Sequence, residues 1–295
     1  MFYDVIIIGK GPAGLSASLY TARGNLRTLV IGQESRLVKA KQIENFCCGG
    51  VASGEELLAR GVSQAERFGV RMIDEEVVDL KRRDDHFVVV ADKMTYEGKA
   101  IIIATGKNNV PVPVADLEKY LGKGVHYCVL CDGFFYQEAK VGVLGFKDFA
   151  VHELRELEGI TNKLTLYTNG NSLQVSKENE QYLMDKQIPV KTDPIRAVAG
   201  GDFLTQLLFQ DGSAEELEGL FVAYGSASSV DFARKLGVRI ENGSIVVDQN
   251  QKTNVSGVFA AGDCTGGLAQ VSVAVGQGAV AGEQAKRYVK ALQDG

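Results

Sequence analysis

Cys128-Val129-Leu130-Cys131-Asp132 places two thiols and a carboxyl within five consecutive positions. Two residues between the cysteines let the sulfurs close a tight disulfide at a helix start. There the helix dipole lowers a thiol pKa, and the thiolate is the nucleophile. Asp132 stands where it can shuttle the proton that thiol–disulfide exchange releases or consumes. The competing reading of such a pair is half of a zinc site, which needs two more ligands. Cys47, Cys48 and Cys264 form no second C-x-x-C, so redox chemistry is the stronger reading. The adjacent Cys47 and Cys48 read either as a second redox or metal element or, more commonly, as buried thiols. Cys264 reads as a small buried residue. His126, two positions before Cys128, either tunes the thiols or is simply a hydrogen-bonded histidine.

A second group of residues points to a dinucleotide. Gly9-x-Gly11-x-x-Gly14, with Pro12 and Ala13 between, follows the apolar run Val5–Ile8 and opens a helix over Leu15–Arg23. The glycines permit a tight turn, close approach to a pyrophosphate and close helix–strand packing. The helix start adds free N–H groups and a positive dipole end. An acid about twenty positions on is expected for the ribose; Glu34 is the candidate, although the more usual strand-end position holds Gly32. Near the far end, Gly257–Asp263 is a strand followed by a small-residue turn with an acid. Gly262 lets backbone approach a ligand, and Asp263 can accept hydrogen bonds from ribitol hydroxyls. A helix starting at Gln270-Val271 would turn its positive end toward a flavin ring.

The elements that must hold these residues follow from apolar patterning. Strands are expected at Val5–Ile8, Thr28–Ile31, Lys99–Ala104, Val141–Leu144, Leu164–Tyr167 and Gly219–Tyr224, with a strand in Thr253–Ala261. Val77–Lys81 and Phe87–Ala91 read as a hairpin about the polar Arg82–Asp85. Helices are expected over Glu55–Phe68, Phe149–Leu157 and Val271–Leu292. The recurring strand–glycine turn–helix unit gives an α/β fold of two Rossmann-like dinucleotide-binding domains (three-layer ββα), the second inserted in the first. Residues 1–111 and 241–295 form one domain. Residues 112–240 form the other, which carries the C-x-x-C pair, and the break begins at Val110-Pro111-Val112-Pro113.

Composition narrows the setting. The 295 residues suffice for two ordinary domains. Hydrophobic residues make up 45% and charged residues 23%, as in soluble globular proteins. A net charge of −5 argues against nucleic acid and anionic membranes as partners. No apolar run approaches the ~20 residues of a membrane span, and no basic segment precedes a longer apolar one as in a signal peptide. Five cysteines, an odd number, do not suit a secreted disulfide scaffold. The expected location is the cytoplasm.

Gly124-Val125-His126-Tyr127-Cys128-Val129-Leu130-Cys131-Asp132-Gly133-Phe134-Phe135-Tyr136 closely resembles the redox segment of the low-molecular-weight thioredoxin reductase family. Ile43-Glu44-Asn45-Phe46, Ala104-Thr105-Gly106, Ala261-Gly262-Asp263 and Gln270-Val271 resemble its flavin-contacting segments, in order. The resemblance spans essentially the whole chain. It implies an FAD flavoenzyme, typically a homodimer, that reduces thioredoxin. It also implies that Cys131 faces the flavin while Cys128 attacks the substrate disulfide.

The chain departs from the family where NADPH should bind. The second turn, Gly-x-Gly-x-x-Ala in the family, is Gly145-Phe146-Lys147-Asp148-Phe149-Ala150. Lys147 obstructs the close approach a glycine would allow, and Phe149 adds bulk. The arginines for the 2′-phosphate are replaced by Thr168-Asn169-Gly170-Asn171, which also lacks an acid for a free ribose. The Gly-Gly-Gln-Leu flavin loop is shortened to Ser35-Arg36-Leu37, and Ala269 replaces an arginine. These departures resemble the NADPH-independent, ferredoxin-linked flavin thioredoxin reductases. The expected electron donor is therefore ferredoxin or a similar protein, docking on a patch drawn from Lys39, Lys41, Arg60 and Arg67. The alternatives are an NADPH enzyme with a tolerant site, a dithiol oxidase using oxygen, and a non-catalytic flavin redox sensor.

Overall fold

The computed structural model describes residues 1–107 and 111–293. The chain divides into two compact units, Met1–Asn108 with Ser228–Gly295, and Asn109–Ala227. Among the described residues no helix is long and apolar enough to cross a membrane.

In the first unit a parallel sheet runs, in order, through Arg71–Ile73, Thr28–Ile31, Phe2–Ile8 and Thr95–Ile103. Val5, Ile6 and Ile7 are fully buried, as expected of a strand covered on both faces. The Thr95–Ile103 strand is longer than the Lys99–Ala104 expected from its apolar end, and its two halves pair differently. Thr95–Gly98 pairs antiparallel with His86–Ala91, which in turn pairs with Val77–Arg83. Ile101–Ile103 pairs parallel with Val258–Ala260. The Thr95–Gly98 half carries no apolar run, with Thr95, Glu97 and Gly98 around the single Tyr96, so it gives no strand signal of its own.

Two helices on this sheet lie close because glycine permits it. Gly278 and Gly282 lie in the long helix Val271–Ala291. A Cβ at Gly278 would fall 2.1 Å from the carbonyl oxygen of Ala13, and one at Gly282 2.4 Å from that of Ala17. The long helix therefore presses directly on the Pro12–Arg23 helix, whose first turn follows the glycine-rich loop. The Gly54–Arg67 helix begins at a capping box in which Ser53 and Glu56 satisfy each other's backbone N–H groups.

In the second unit five parallel strands run Val190–Lys191, Leu164–Tyr167, Val141–Leu144, Gly219–Val222 and Val125–His126. A three-stranded antiparallel sheet, Ile195–Gly200, Leu204–Phe209 and Ala214–Glu216, adds to it. The short edge strand Val125–His126, invisible to apolar periodicity at two residues, leads straight into Cys128.

The chain re-enters the first unit at Ser228, earlier than the boundary at 240/241 that the sequence suggests; on the other side, Val110 lies outside the described residues. The early return has a local cause. Ser228 and Asp231 cap the helix Ser229–Lys235, and Lys235 Nζ lies 2.7 Å from Asp79 Oδ1 on the Val77–Arg83 strand. Both side chains are nearly fully buried, with exposures of 4% and 1%.

Gly278→Val should destabilise the protein by about 2–3 kcal/mol through overpacking against Ala13, read as a lowered denaturant midpoint. Gly276→Ala in the same helix meets nothing within 4 Å and should leave that midpoint unchanged or raise it.

Candidate active site

The Gly9–Gly14 turn assigns a different task to each glycine. Gly9 has φ +119°, and a Cβ there would fall 2.2 Å from Ala104 O. A Cβ at Gly14 would fall 2.0 Å from Gly9 O, so this glycine serves packing. At Gly11 the nearest atom is Ser35 Oγ at 3.4 Å, so the middle glycine leaves space beside the turn. Gly11 is also the N-cap and offers no side chain to the first N–H groups of the helix, with Pro12 at its first position. Gly32, with φ +152° and a Cβ that would lie 3.3 Å from Gly9 Cα, makes a side chain at the strand end strained. Glu34 instead stands exposed two positions on. Its charge partly offsets the burial that lowers the Lys10 ammonium pKa, and Lys10 is itself paired with Asp74.

Two of the other expected dinucleotide residues, Gly262 and Thr105, lie against this turn. Gly262, with φ +85°, would place a Cβ 3.0 Å from that of Ala13, and its N–H donates to Gln277 Oε1 at 2.8 Å. Asp263 follows at half-burial. Asn45 Nδ2 donates to Gln270 Oε1 at 2.7 Å, joining two expected contact residues more than two hundred positions apart. Gln270 is the N-cap of the long helix and Val271 its first residue. Thr105 Oγ1 is buried with no hydrogen-bond partner, the kind of polar atom a bound ligand satisfies. Gly106 beside it has φ +71°. The open middle glycine, the uncapped helix start and the orphan hydroxyl all fit a dinucleotide.

In the second unit Cys128 and Cys131 are joined by a disulfide, with Cα atoms 5.3 Å apart. Cys128 caps the helix Val129–Asp132, and its Sγ accepts the Cys131 N–H at 3.2 Å. That helix is a single turn running into a 3-10 turn, Gly133–Tyr136. So short a helix has little dipole to offer the sulfur that caps it. Cys128 is 3% exposed, whereas Cys131 is exposed. Val129 N–H donates to the buried Glu153 at 3.2 Å. Asp132 Oδ2 lies 3.1 Å from His126 Nδ1, and His126 Nε2 lies 2.7 Å from the Tyr136 hydroxyl. Burial and the nearby Asp132 charge push the Tyr136 phenol up to about 12. The sequence left His126 between two readings because its contacts depend on how the chain turns after Cys131.

The second glycine turn keeps its packing and has a lysine at its middle position. A Cβ at Gly145 would fall 2.2 Å from Ala223 O and 2.6 Å from the Ala150 Cβ. Lys147 is the N-cap of the Asp148–Leu157 helix, and its ammonium reaches Ser226 Oγ at 3.2 Å. The expectation that Phe149 also crowds this turn is corrected. Its side chain is 2% exposed and belongs to the core, because the helix turns that position inward. After Leu164–Tyr167, Asn171 Nδ2 is hydrogen-bonded to Thr168 O, Asn169 O and Tyr224 Oη. Asn169 Oδ1 accepts the Ile195 N–H at 2.6 Å. These side chains hold their own loop.

The remaining cysteines divide. Cys264 is buried, which pushes its thiol up to about 12 and leaves it inert. Cys47 and Cys48 are exposed rather than buried, with sulfurs 3.6 Å apart. Lys39, Lys41, Arg60 and Arg67 are all exposed.

A dinucleotide cradle in one unit and a reactive disulfide in the other define a flavin–disulfide oxidoreductase. Residues 3–278 match the family described as pyridine nucleotide-disulphide oxidoreductase, and the chain belongs to that family. Within it the chain is an enzyme of the thioredoxin-reductase type, with FAD as cofactor. It is 32% identical over 304 residues to thioredoxin reductase of Listeria innocua serovar 6a, covering 99% of this chain and 95% of that one. The atypical thioredoxin reductase TRi of Desulfovibrio vulgaris Hildenborough matches with a TM-score of 0.95 at 42% identity, over 98% of each chain. A ferredoxin-flavin thioredoxin reductase of Clostridium acetobutylicum matches with a TM-score of 0.72 at 28% identity, over 100% of this chain and 99% of that one.

Gly11→Val should leave the melting temperature within a few degrees of native yet purify without flavin, because it fills the space beside the turn and little else. Retention of full FAD absorbance would show that Gly11 does not face the cofactor. The double variant Cys47→Ala/Cys48→Ala should keep both FAD and disulfide reductase turnover; loss of turnover with FAD retained would make the pair part of the machinery.

Proposed function

We propose that the enzyme passes electrons through FAD and the Cys128–Cys131 pair to thioredoxin, drawing them from ferredoxin or a similar one-electron protein donor instead of NADPH. FAD, when bound, supplies the carrier that collects single electrons and delivers a pair to the disulfide. In the reduced pair the Cys128 thiolate attacks one sulfur of the thioredoxin disulfide, and that S–S bond breaks as a mixed disulfide forms. The Cys131 thiolate then attacks Cys128 Sγ, which re-forms the enzyme disulfide and releases the second thioredoxin sulfur. Two electrons pass to thioredoxin, and the two protons of the enzyme thiols end on its thiols. Asp132 accepts a proton from an enzyme thiol and returns it to a leaving thiolate.

The Cys131 N–H at Cys128 Sγ favours a Cys128 thiolate and so its role as the attacking sulfur. The exposures of the oxidised pair run the other way, with Cys131 the more open, so the assignment rests on the two single variants below. Beside the pair, Leu130, Phe134 and Phe135 are 59%, 60% and 69% exposed, an apolar surface suited to a protein substrate.

The observation that carries the donor assignment is the state of the second nucleotide turn. Hydride transfer needs the nicotinamide held in place, and that hold comes from pyrophosphate and ribose contacts elsewhere on the cofactor. Lys147 stands where backbone should meet pyrophosphate, and Thr168–Asn171 is occupied with its own backbone. Lys39, Lys41, Arg60 and Arg67 are each exposed, so an acidic ferredoxin could draw on them although the chain's net charge is −5. One observation favours the NADPH reading. Gly145 and Ala150 keep the tight strand–helix packing of a working turn, and Lys147 is a cation at its helix start.

Under anaerobic conditions reduced ferredoxin should bleach the flavin and drive thioredoxin reduction, more weakly as salt rises. Rapid bleaching by micromolar NADPH, followed by thioredoxin reduction, would overturn the donor assignment. Cys131→Ser should trap a mixed disulfide between Cys128 and thioredoxin, detectable by mass spectrometry, while Cys128→Ser should trap none. The reverse pattern would exchange the two roles. Asp132→Asn should slow exchange about 10²-fold at neutral pH, and an unchanged rate would remove Asp132 from the reaction.

A further inference from the structure

We propose that His126 is a positioning residue for proton transfer at the disulfide, holding Asp132 through a directed chain that begins at the Tyr136 hydroxyl. The inference rests on the reading of Asp132 as the acid–base group of the Cys128–Cys131 pair.

The direction of the chain follows from what each group can donate. Ionised Asp132 only accepts, so the 3.1 Å contact at Oδ2 requires the hydrogen on His126 Nδ1. A neutral imidazole with its hydrogen there presents a lone pair at Nε2. The Tyr136 hydroxyl 2.7 Å away is then the donor. The high pKa of Tyr136 keeps the phenol protonated and able to donate throughout the neutral range. His126 thus holds one carboxylate oxygen, Oδ2, and directs Oδ1 to proton exchange.

The imidazole is held from several sides. It lies on the Val125–His126 edge strand, is 6% exposed and stacks on Phe221 with centroids 5.3 Å apart. The Tyr136 ring meets both the His126 and Phe221 rings edge-on. It occupies space that only a glycine at 219 leaves open, since a Cβ there would fall 2.5 Å from the Tyr136 ring. A buried histidine with two satisfied nitrogens often has a purely structural role. Here, however, the chain ends on a carboxylate next in sequence to Cys131, with a side-chain exposure of 34% against 7% for the histidine. Tyr136 and Asp132 are the titratable groups in hydrogen-bond contact with the imidazole. Glu153 accepts the Val129 N–H, so it anchors the turn from the other side.

The test uses full-length holoenzyme, reduced beforehand with dithionite so that the physiological donor does not matter, in a single turnover with oxidised thioredoxin. His126→Ala should slow exchange about tenfold or more at pH 7, a share of the ~10²-fold that acid–base help supplies, without changing thioredoxin affinity. The pH at which the rate falls away on the acid side should move upward, because the carboxylate loses a donor that favours its charged form. His126→Asn restores an N–H near the Nδ1 position and should recover most of the rate. Tyr136→Phe removes a single hydroxyl and should give an intermediate loss even if His126→Ala folds poorly. Adding Asp132→Asn to Tyr136→Phe or His126→Ala should cost far less than the two changes separately predict, because both act through one carboxylate. Native rate and native pH profile in His126→Ala, or additive losses in the doubles, would overturn the proposal. The Cys128→Ser control separates the two levels. If it still reduces thioredoxin, the dithiol reading itself fails; if it is inactive while the His126 variants behave as native, only the positioning role is lost.

Discussion

A side chain on the glycine that follows Phe2–Ile8 in one unit, or Val141–Leu144 in the other, has nowhere to go. At Gly9 a Cβ would fall 2.2 Å from Ala104 O, and at Gly145 2.2 Å from Ala223 O. In each case the carbonyl belongs to the residue just beyond a neighbouring parallel strand. This contact sets how closely strand, turn and helix can approach, and both units are built around it. The adjoining positions follow from it. The first helix of one unit presses on Gly278 and Gly282 of the last, which brings Gly262 against Ala13. In the other unit Ala150 closes over Gly145.

Given the same constraint, the two turns diverge at the middle position. Gly11 leaves open space, and the unpartnered Thr105 Oγ1 lies in the same unit. Lys147 instead stands at the N-cap position without a side-chain cap bond, and its ammonium reaches Ser226, while Asn169 and Asn171 hold their own loop. The two turns thus share their packing and differ in the polar atoms they present. The second unit presents the Cys128–Asp132 turn, tied down by hydrogen bonds to Glu153 on one side and His126 on the other.

Long apolar strands and the glycine turns were legible because their signals are local. Val5–Ile8, Val141–Leu144 and Leu164–Tyr167 read as strands because every residue is apolar or threonine and bounded by turn residues. The same locality hid others. Val125–His126 is two residues long and forms only because Gly219–Val222 offers it an edge. The antiparallel strands from Ile195 to Glu216 carry mixed polar residues, since one of their faces meets solvent. Phe149 was misread for the converse reason. Its type suggested bulk at the turn, but which way a helical residue points depends on the whole helix and on what packs against it.

By itself the sequence determined the chemistry available: a dithiol at disulfide spacing with a neighbouring acid, glycines where a phosphate-bearing ligand needs backbone, and no cation after Leu164–Tyr167. These are properties of residue type and short spacing, which a chain carries whatever its fold. Only the tertiary structure decided which groups meet. Asn45 finds Gln270, Lys235 finds Asp79, and His126 with Tyr136 closes on Asp132. Hydrogen bonds of about 3 Å are set by backbone positions that depend on sheet order and packing summed over the whole domain. No short window of sequence contains that information.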